Sequence, residues 1–231
     1  TQDLEGVWGS SATDVWVVGL KGVVLHTTDG ATWMPVSLTT ANVGDVWGTG
    51  ASDVYIVGGG GMIKHFNGST WSSVNAAVGQ TNLYCVWGAS GSDVFVFGAN
   101  GLALHGSAAN GFNKLASPIA DGLYYGWGTA GGNDVWVPSN NTMFTAAQLW
   151  HSSDHGLSWQ SQLTVPALGA VWSTTSGHAY VVGYQIWDTT DGGAHWNSAA
   201  GSPAPLYGIG GDANGTAVWA AGQSGTILHR P

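Results

Sequence analysis

Short apolar runs of five or six residues recur along this chain, separated by turns rich in Gly, Asp, Asn and Ser. Val7-Trp8-Gly9 is followed, after a polar turn, by Asp14-Val15-Trp16-Val17-Val18-Gly19. The same order of residues returns at Val46-Trp47-Gly48 with Asp53-Val54-Tyr55-Ile56-Val57-Gly58. It returns again at Val86-Trp87-Gly88 with Asp93-Val94-Phe95-Val96-Phe97-Gly98. Looser copies begin at Gly126-Trp127-Gly128, Val171-Trp172-Ser173 and Ile209-Gly210-Gly211. Counted from Trp8, successive copies lie 39, 40, 40, 45 and 38 residues apart. A period near 40 is the mark of a repeat architecture. The runs have strand length, and no helical period of 3.6 persists beyond them.

Each repeat reads as four short strands. In the first they fall near Leu4 to Gly9, Asp14 to Val18, Val23 to Thr27 and Thr32 to Leu38. Four antiparallel strands at this period describe one blade of a β-propeller. The chain is therefore expected to be all-β, a single six-bladed propeller with blades at about 4–42, 43–82, 83–122, 123–167, 168–205 and 206–231. The sixth repeat runs out after three strands, so the last blade is expected to be incomplete; five or seven blades are the alternatives. The polar stretch from Ser139 to Ala147 is placed in a loop of blade four.

The turn between the third and fourth strands carries a motif. Ser152-Ser153-Asp154-His155-Gly156-Leu157-Ser158-Trp159 and Thr189-Thr190-Asp191-Gly192-Gly193-Ala194-His195-Trp196 both read Ser/Thr-x-Asp-x-Gly-x-x-Trp. Shorter versions are Asp29-Gly30-Ala31-Thr32-Trp33 and Asn67-Gly68-Ser69-Thr70-Trp71. This resembles the Asp-box of BNR-repeat, sialidase-like propellers, and the whole repeat resembles those of secreted bacterial proteins. The resemblance implies the fold and a secreted or periplasmic, cell-surface location of bacterial type. It implies little about activity. Asp-Gly and Asn-Gly suit the left-handed positions of tight hairpins, and an Asp side chain can bond to turn amides. The motif is thus explained without a ligand.

Composition narrows the function. Net charge is −9 with only four Lys and Arg together. Phosphate backbones and anionic membrane surfaces are held by clustered Lys and Arg, so neither nucleic acid nor a lipid surface is an expected partner. No apolar run approaches the length of a membrane span. Cys85 is the one cysteine, so no internal disulfide forms, and it reads as a small buried hydrophobe. The chain starts at Thr1, which suits a mature product.

Candidate chemistry is sparse. Sialidases clamp the substrate carboxylate with three arginines, and this chain has only Arg230. A glycosidase needs two carboxylates facing one cleft; Glu5 and Asp45, on neighbouring first strands, are the pair to test. His26, His65, His105, His151 and His229 share one position in the third strand, where blade five has Asp188. One position in different blades cannot converge on a single ion, so a repeated hydrogen bond is expected rather than a metal site. No cofactor motif is present. The chain is expected not to be an enzyme.

Aromatic residues remain. Tyr84, Tyr124 and Tyr207 share a first-strand position occupied by Glu5, Gly44 and Gly169 in the other blades. A partial tyrosine ring with Glu5 and Asp45 nearby would grip a sugar or a peptide. The 14 tryptophans are expected mostly in the core. The leading expectation is a lectin-like module for neutral glycans. The alternative is a protein-interaction or structural subunit, with the incomplete last blade open to oligomer formation. An apolar patch on that blade is the feature that discriminates for the alternative.

Overall fold

Six antiparallel sheets carry the six repeats, and the fold is an all-β, six-bladed β-propeller. The computed structural model describes residues 2–129, 131–140, 146–174, 177–199, 201–212, 215 and 217–230. Blade one is Leu4–Gly9, Val15–Gly19, Val24–Thr27 and Met34–Pro35. Blade two is Val43–Gly50, Asp53–Gly58, Met62–Phe66 and Trp71–Ser73. Blade three is Leu83–Ser90, Asp93–Gly98, Ala103–Ser107 and Gly111–Lys114. In blade four the first strand is split into Gly122–Leu123 and Trp127–Gly128, followed by Val135–Asn140, Ala147–Ser152 and Gln160–Val165. Blade five is Leu168–Ser173, Ala179–Gly183, Ile186–Thr189 and Asn197–Ser198. Blade six has three strands among the described residues, Leu206–Gly211, Val218–Gly222 and Ile227–Arg230. Blades one to three form one compact unit, Thr1–Leu115, and blades four to six a second, Ala116–Pro231.

The loop expected from Ser139 to Ala147 is shorter than the sequence suggests. Ser139 and Asn140 extend the second strand of blade four, and Ala147 opens the third; residues 141–145 lie outside the described residues. The polar pair is buried because it is fully used. The Asn140 amide donates to the Leu168 carbonyl at 2.9 Å and accepts from the Leu168 amide at 3.1 Å, tying blade four to blade five. The Trp150 indole donates to the Ser139 hydroxyl at 3.1 Å. Buried polar groups persist when they are paired in this way.

One packing rule joins successive blades within each unit. The aliphatic pair of a blade's first strand packs on the second-strand aromatic and the third-strand aliphatic residue of the blade before it. Val43 and Val46 cover Trp16, Val18 and Val24. Leu83 and Val86 cover Tyr55, Val57 and Ile63. In the second unit, Leu168 and Val171 cover Trp136 and Leu149. Three first-strand glycines are set by the same rule. A Cβ on Gly48 would lie 2.9 Å from the Trp8 ring, one on Gly88 2.5 Å from Trp47, and one on Gly211 2.8 Å from Trp172. Trp8, Trp47 and Trp172 thus lie against the backbone of the following blade and leave no room for a Cβ at these three positions.

The turn between second and third strands is equally regular. Lys21-Gly22, Gly60-Gly61, Asn100-Gly101 and Ser224-Gly225 all have positive φ at both positions, as a tight primed hairpin turn requires.

Candidate functional site

The repeated histidine is a structural device. The Nε2 atoms of His26, His65, His105 and His151 lie 2.6, 2.7, 2.6 and 2.9 Å from Asp14, Asp53, Asp93 and Asp134, each at the start of the neighbouring second strand. Each ring also stacks on or tilts over the aromatic residue two positions after that Asp. Centroids are 3.7 Å apart for Trp16–His26 and for Trp136–His151, 4.5 Å for Phe95–His105 and 4.6 Å for Tyr55–His65. The expected repeated hydrogen bond is therefore present, and it runs between strands of one blade. No group of three metal-ligating side chains occurs among the described residues. Burial pushes the His151 pKa below its usual value, against the opposing pull of Asp134.

The turn carboxylates are similarly committed. Asp29 accepts the amides of Ala31 and Thr32 at 2.8 and 2.7 Å. Asp154 accepts the Ser158 amide and hydroxyl at 2.8 and 2.7 Å. Asp191 accepts the His195 amide at 2.9 Å. These bonds favour the charged form. They hold Asp29 well below the usual carboxylate range and bring Asp154 and Asp191 down to about 2. The left-handed positions of these turns belong to Gly30, Gly68, His155-Gly156 and Gly192-Gly193. The Asp acts through its side chain.

Four of the five expected ligand-binding residues share a recurring irregularity, and Asp45 directly follows it in blade two. In five blades the first strand carries a β-bulge, and the extra residue is Glu5, Gly44, Tyr84, Gly169 or Tyr207. In blade four the strand breaks at that point, beside Tyr124. Bulges re-aim a side chain and recur beside functional sites. The first unit holds Glu5, Asp45 and Tyr84 on the first strands of consecutive blades. Glu5 is exposed, and Tyr84 and Asp45 are half-buried. The second unit holds Tyr124, half-buried, and Tyr207, 59% exposed.

Asp45 is the most constrained of the five. One carboxylate oxygen accepts the Val46 amide at 2.8 Å, and the other accepts the Val86 amide at 3.0 Å, two residues beyond Tyr84 in blade three. The Cys85 thiol also donates to it, and burial still pushes its pKa up to about 6. On the other side Gly6, beside Glu5, approaches so closely that a Cβ there would lie 2.9 Å from the carboxylate. Asp45 thus works as a clasp between the first strands of blades two and three.

Two faces are bare at positions that are buried in other blades, one of them on blade six, where an apolar patch is the feature that favours a protein-interaction role. At the second-strand aromatic position, Trp16, Tyr55, Phe95, Trp136 and Tyr180 are at most 2% exposed, whereas Trp219 of blade six is 51% exposed. Ile227, next to it on the third strand, is 69% exposed. The first-strand pair Leu4 and Val7 of blade one is 58% and 68% exposed, although Val43, Val46, Leu83, Val86, Leu168 and Val171 are all buried. Trp33 and Trp219 thereby depart from the expectation of a tryptophan core. A shallow cleft of about 440 Å³ lies between blades two and three, lined by Ser73, Asn75, Asn110 and Asn113 among others. Its aromatic, Phe112, is buried and offers no stacking platform.

No family model matches the chain, and no curated protein is similar to it. Solved structures share its fold. YCF48 bound to D1 peptide matches with TM-score 0.75 and 15% identity, over 100% of this chain and 78% of that one. The β-propeller domain of Cps50 (Swd1) from Myceliophteria thermophila matches with TM-score 0.72 and 10% identity, over 98% and 82%. The GH74 enzyme of Niastella koreensis matches with TM-score 0.71 and 18% identity, over 98% of this chain but 36% of that one. Identities this low establish the β-propeller fold alone.

Proposed function

We propose that this chain is a non-catalytic binding module that takes a protein segment on the open face of blade six. The observation that supports this reading is the exposure of Trp219 and Ile227 at positions that other blades cover. Grouped exposed apolar residues mark interaction surfaces. Beside them Ile227–Arg230 pairs on one side with Val218–Gly222 and has no fourth strand next to it among the described residues. An edge of this kind accepts an added peptide strand. The YCF48 match, a propeller solved with a bound peptide, agrees with the reading. A net charge of −9 suits a neutral or basic segment. Catalysis has little to stand on, since the turn Asp residues and Asp45 are tied up in backbone bonds. A secreted or cell-surface location belongs to the same proposal.

Selection from a displayed random-peptide library tests it. Peptides selected on the natural chain should bind Trp219→Ser at least roughly tenfold more weakly. Peptides that bind both equally would sink the proposal. A lectin-like role is the second reading, favoured by Tyr207, an exposed aromatic at a first-strand bulge. Glycan-array binding that disappears in Tyr207→Ala, beside an empty peptide selection, would put that reading first.

A further inference from the structure

We propose that the cleft between blades two and three binds a neutral sugar, gripped through its hydroxyls by free carboxamides. This goes beyond the reading above, as a second site on other blades for another class of ligand. Both walls lie in the first unit, so the site draws on neither the first nor the last repeat. The turn of blade three opens it. In other blades the turn residue spends its side chain on the turn itself, Asp29 on the amides of Ala31 and Thr32, and Asn67 on those of Ser69 and Thr70 at 3.0 and 2.9 Å. In blade three Asn110 gives only its backbone amide, to the buried Ser107 hydroxyl at 3.3 Å. The carboxamides of Asn110 and Asn113 are exposed and make no bond to other described residues. Asn75, on the facing segment, uses its side-chain oxygen on the Ala77 amide at 3.1 Å and keeps its N–H groups for a ligand. Small alanines line the rest and leave a space of about 440 Å³, which falls within the range of small-ligand sites.

The walls are fixed before a ligand arrives, which lowers the cost of binding. The Tyr55 hydroxyl accepts the Ala108 amide at 3.0 Å and donates to the Gly91 carbonyl at 3.1 Å. The Asn75 carbonyl accepts the Phe112 amide at 3.0 Å. Ala77 has a φ of 48° and is the one described non-glycine residue in the left-handed region outside a hairpin turn. Strain of this kind gathers at ligand sites. The chemistry of the walls selects the ligand. A carboxamide donates and accepts side by side, as neighbouring sugar hydroxyls do. Phe112 is buried, so hydroxyls rather than a ring face carry the contact. The edge Gly111–Lys114 is closed to an added peptide strand at Phe112, whose amide is already taken. Among the described residues none with a charge lines the cleft, and Lys64 reaches it only as far as the Ser73 hydroxyl, at 3.2 Å. A net charge of −9 further disfavours an anion.

Titration of the isotope-labelled chain with the methyl glycosides of glucose, galactose, mannose and N-acetylglucosamine, followed by heteronuclear NMR, tests this. The side-chain amide signals of Asn75, Asn110 and Asn113 should shift and saturate with at least one glycoside, with half-saturation at about 1–10 mM. Asn110→Ala should weaken that binding by roughly fivefold or more. Asn113→Ala should do the same, and replaces the first variant if its spectrum shows a lost fold. Tyr207→Ala and Trp219→Ser should bind as the natural chain does, which separates this cleft from the tyrosine bulge and from blade six. Saturating shifts that vanish in Tyr207→Ala and survive in Asn110→Ala would overturn the assignment. Methyl glucuronide binding more tightly than every neutral glycoside would overturn the ligand class. No shift at the three carboxamides, or an unsaturating one that glycerol reproduces, would mean that the cleft binds no sugar, and would leave the peptide selection on blade six untouched.

Discussion

Blades five and six share a chain direction, a bulged first strand and a second strand with one aromatic at its second position. They differ in what lies over them. In blade five every residue of Ala179–Gly183 is buried. Tyr180 is 2% exposed, and blade six reaches back over it, with the Arg230 guanidinium bonded to the Tyr180 hydroxyl at 2.9 Å and lying over its ring. In blade six the equivalent strand is buried on one side only, and Trp219 lies bare against His229, with ring centroids 3.9 Å apart. The same local chemistry gives a core in one blade and a surface in the next. A repeat buries its second face only by having a neighbour.

The largest effect that follows is on stability. Trp136, covered by blade five through an edge contact with Trp196 at 5.7 Å, should cost about 3–5 kcal/mol when replaced by Ala. Trp219→Ala should cost about 1 kcal/mol or less, because half of its surface is already in water. Urea denaturation of the two variants measures the gap. Equal losses would mean that the face of blade six is covered in solution.

How far the sequence carries is visible in the same pair. Val-Trp-Gly and Asp-Val-x-x-Val-Gly mark the blades because every blade must meet the same neighbour geometry, and that requirement repeats with the fold. The glycines after Trp47 and Trp87 are readable for that reason. Exposure is different. Trp219 holds the same strand position as Trp16, with Ala217 in place of Asp14, and nothing in that local difference foretells exposure; Trp16 is buried because Val43 and Val46 of the next blade lie over it. Ser139 and Asn140 were unreadable for another reason. Their strand character depends on the Leu168 backbone, 28 residues away, which satisfies the Asn140 amide. The shared position of Glu5, Tyr84, Tyr124 and Tyr207 was legible as an alignment of repeats. That it is a bulge was not, because a bulge is a property of register with the second strand.

A smaller effect separates the histidines. His151 stacks on Trp136 and bonds to Asp134, whereas His229 stacks on Trp219 with Ala217 where the Asp would stand. His151→Ala leaves Asp134 without its ring partner and should cost about 2 kcal/mol; His229→Ala should cost well under half of that. Because burial lowers the His151 pKa, the folded chain binds that proton more weakly than the unfolded chain. Its contribution is present above the ordinary histidine value near 6.5 and falls away as the pH drops through the depressed value. The difference between the natural chain and His151→Ala should therefore shrink below neutral pH. A difference that stays constant from pH 5 to 8 would remove the covered junction as the cause.

The smallest expected effect concerns Asp45, inside a covered junction of the first unit. Its pKa of about 6 lies above the ordinary carboxylate value of 3.8, so the folded state holds that proton more tightly than the unfolded state. Its contribution is complete below 3.8 and is lost as the pH rises through 6, where an ionised carboxylate remains between two blades. Asp45→Asn replaces one of the two accepting oxygens and should destabilise at any pH, because the Val46 and Val86 amides each need an acceptor. The informative quantity is the slope. From pH 4 to 7 the natural chain should lose about 1 kcal/mol relative to Asp45→Asn, after discounting for the carboxylate's partial contact with water. Parallel curves would mean that the two amides outweigh burial and keep Asp45 ionised throughout. Asp45 would then be a charged clasp, and the covered junctions would differ from blade six in packing alone.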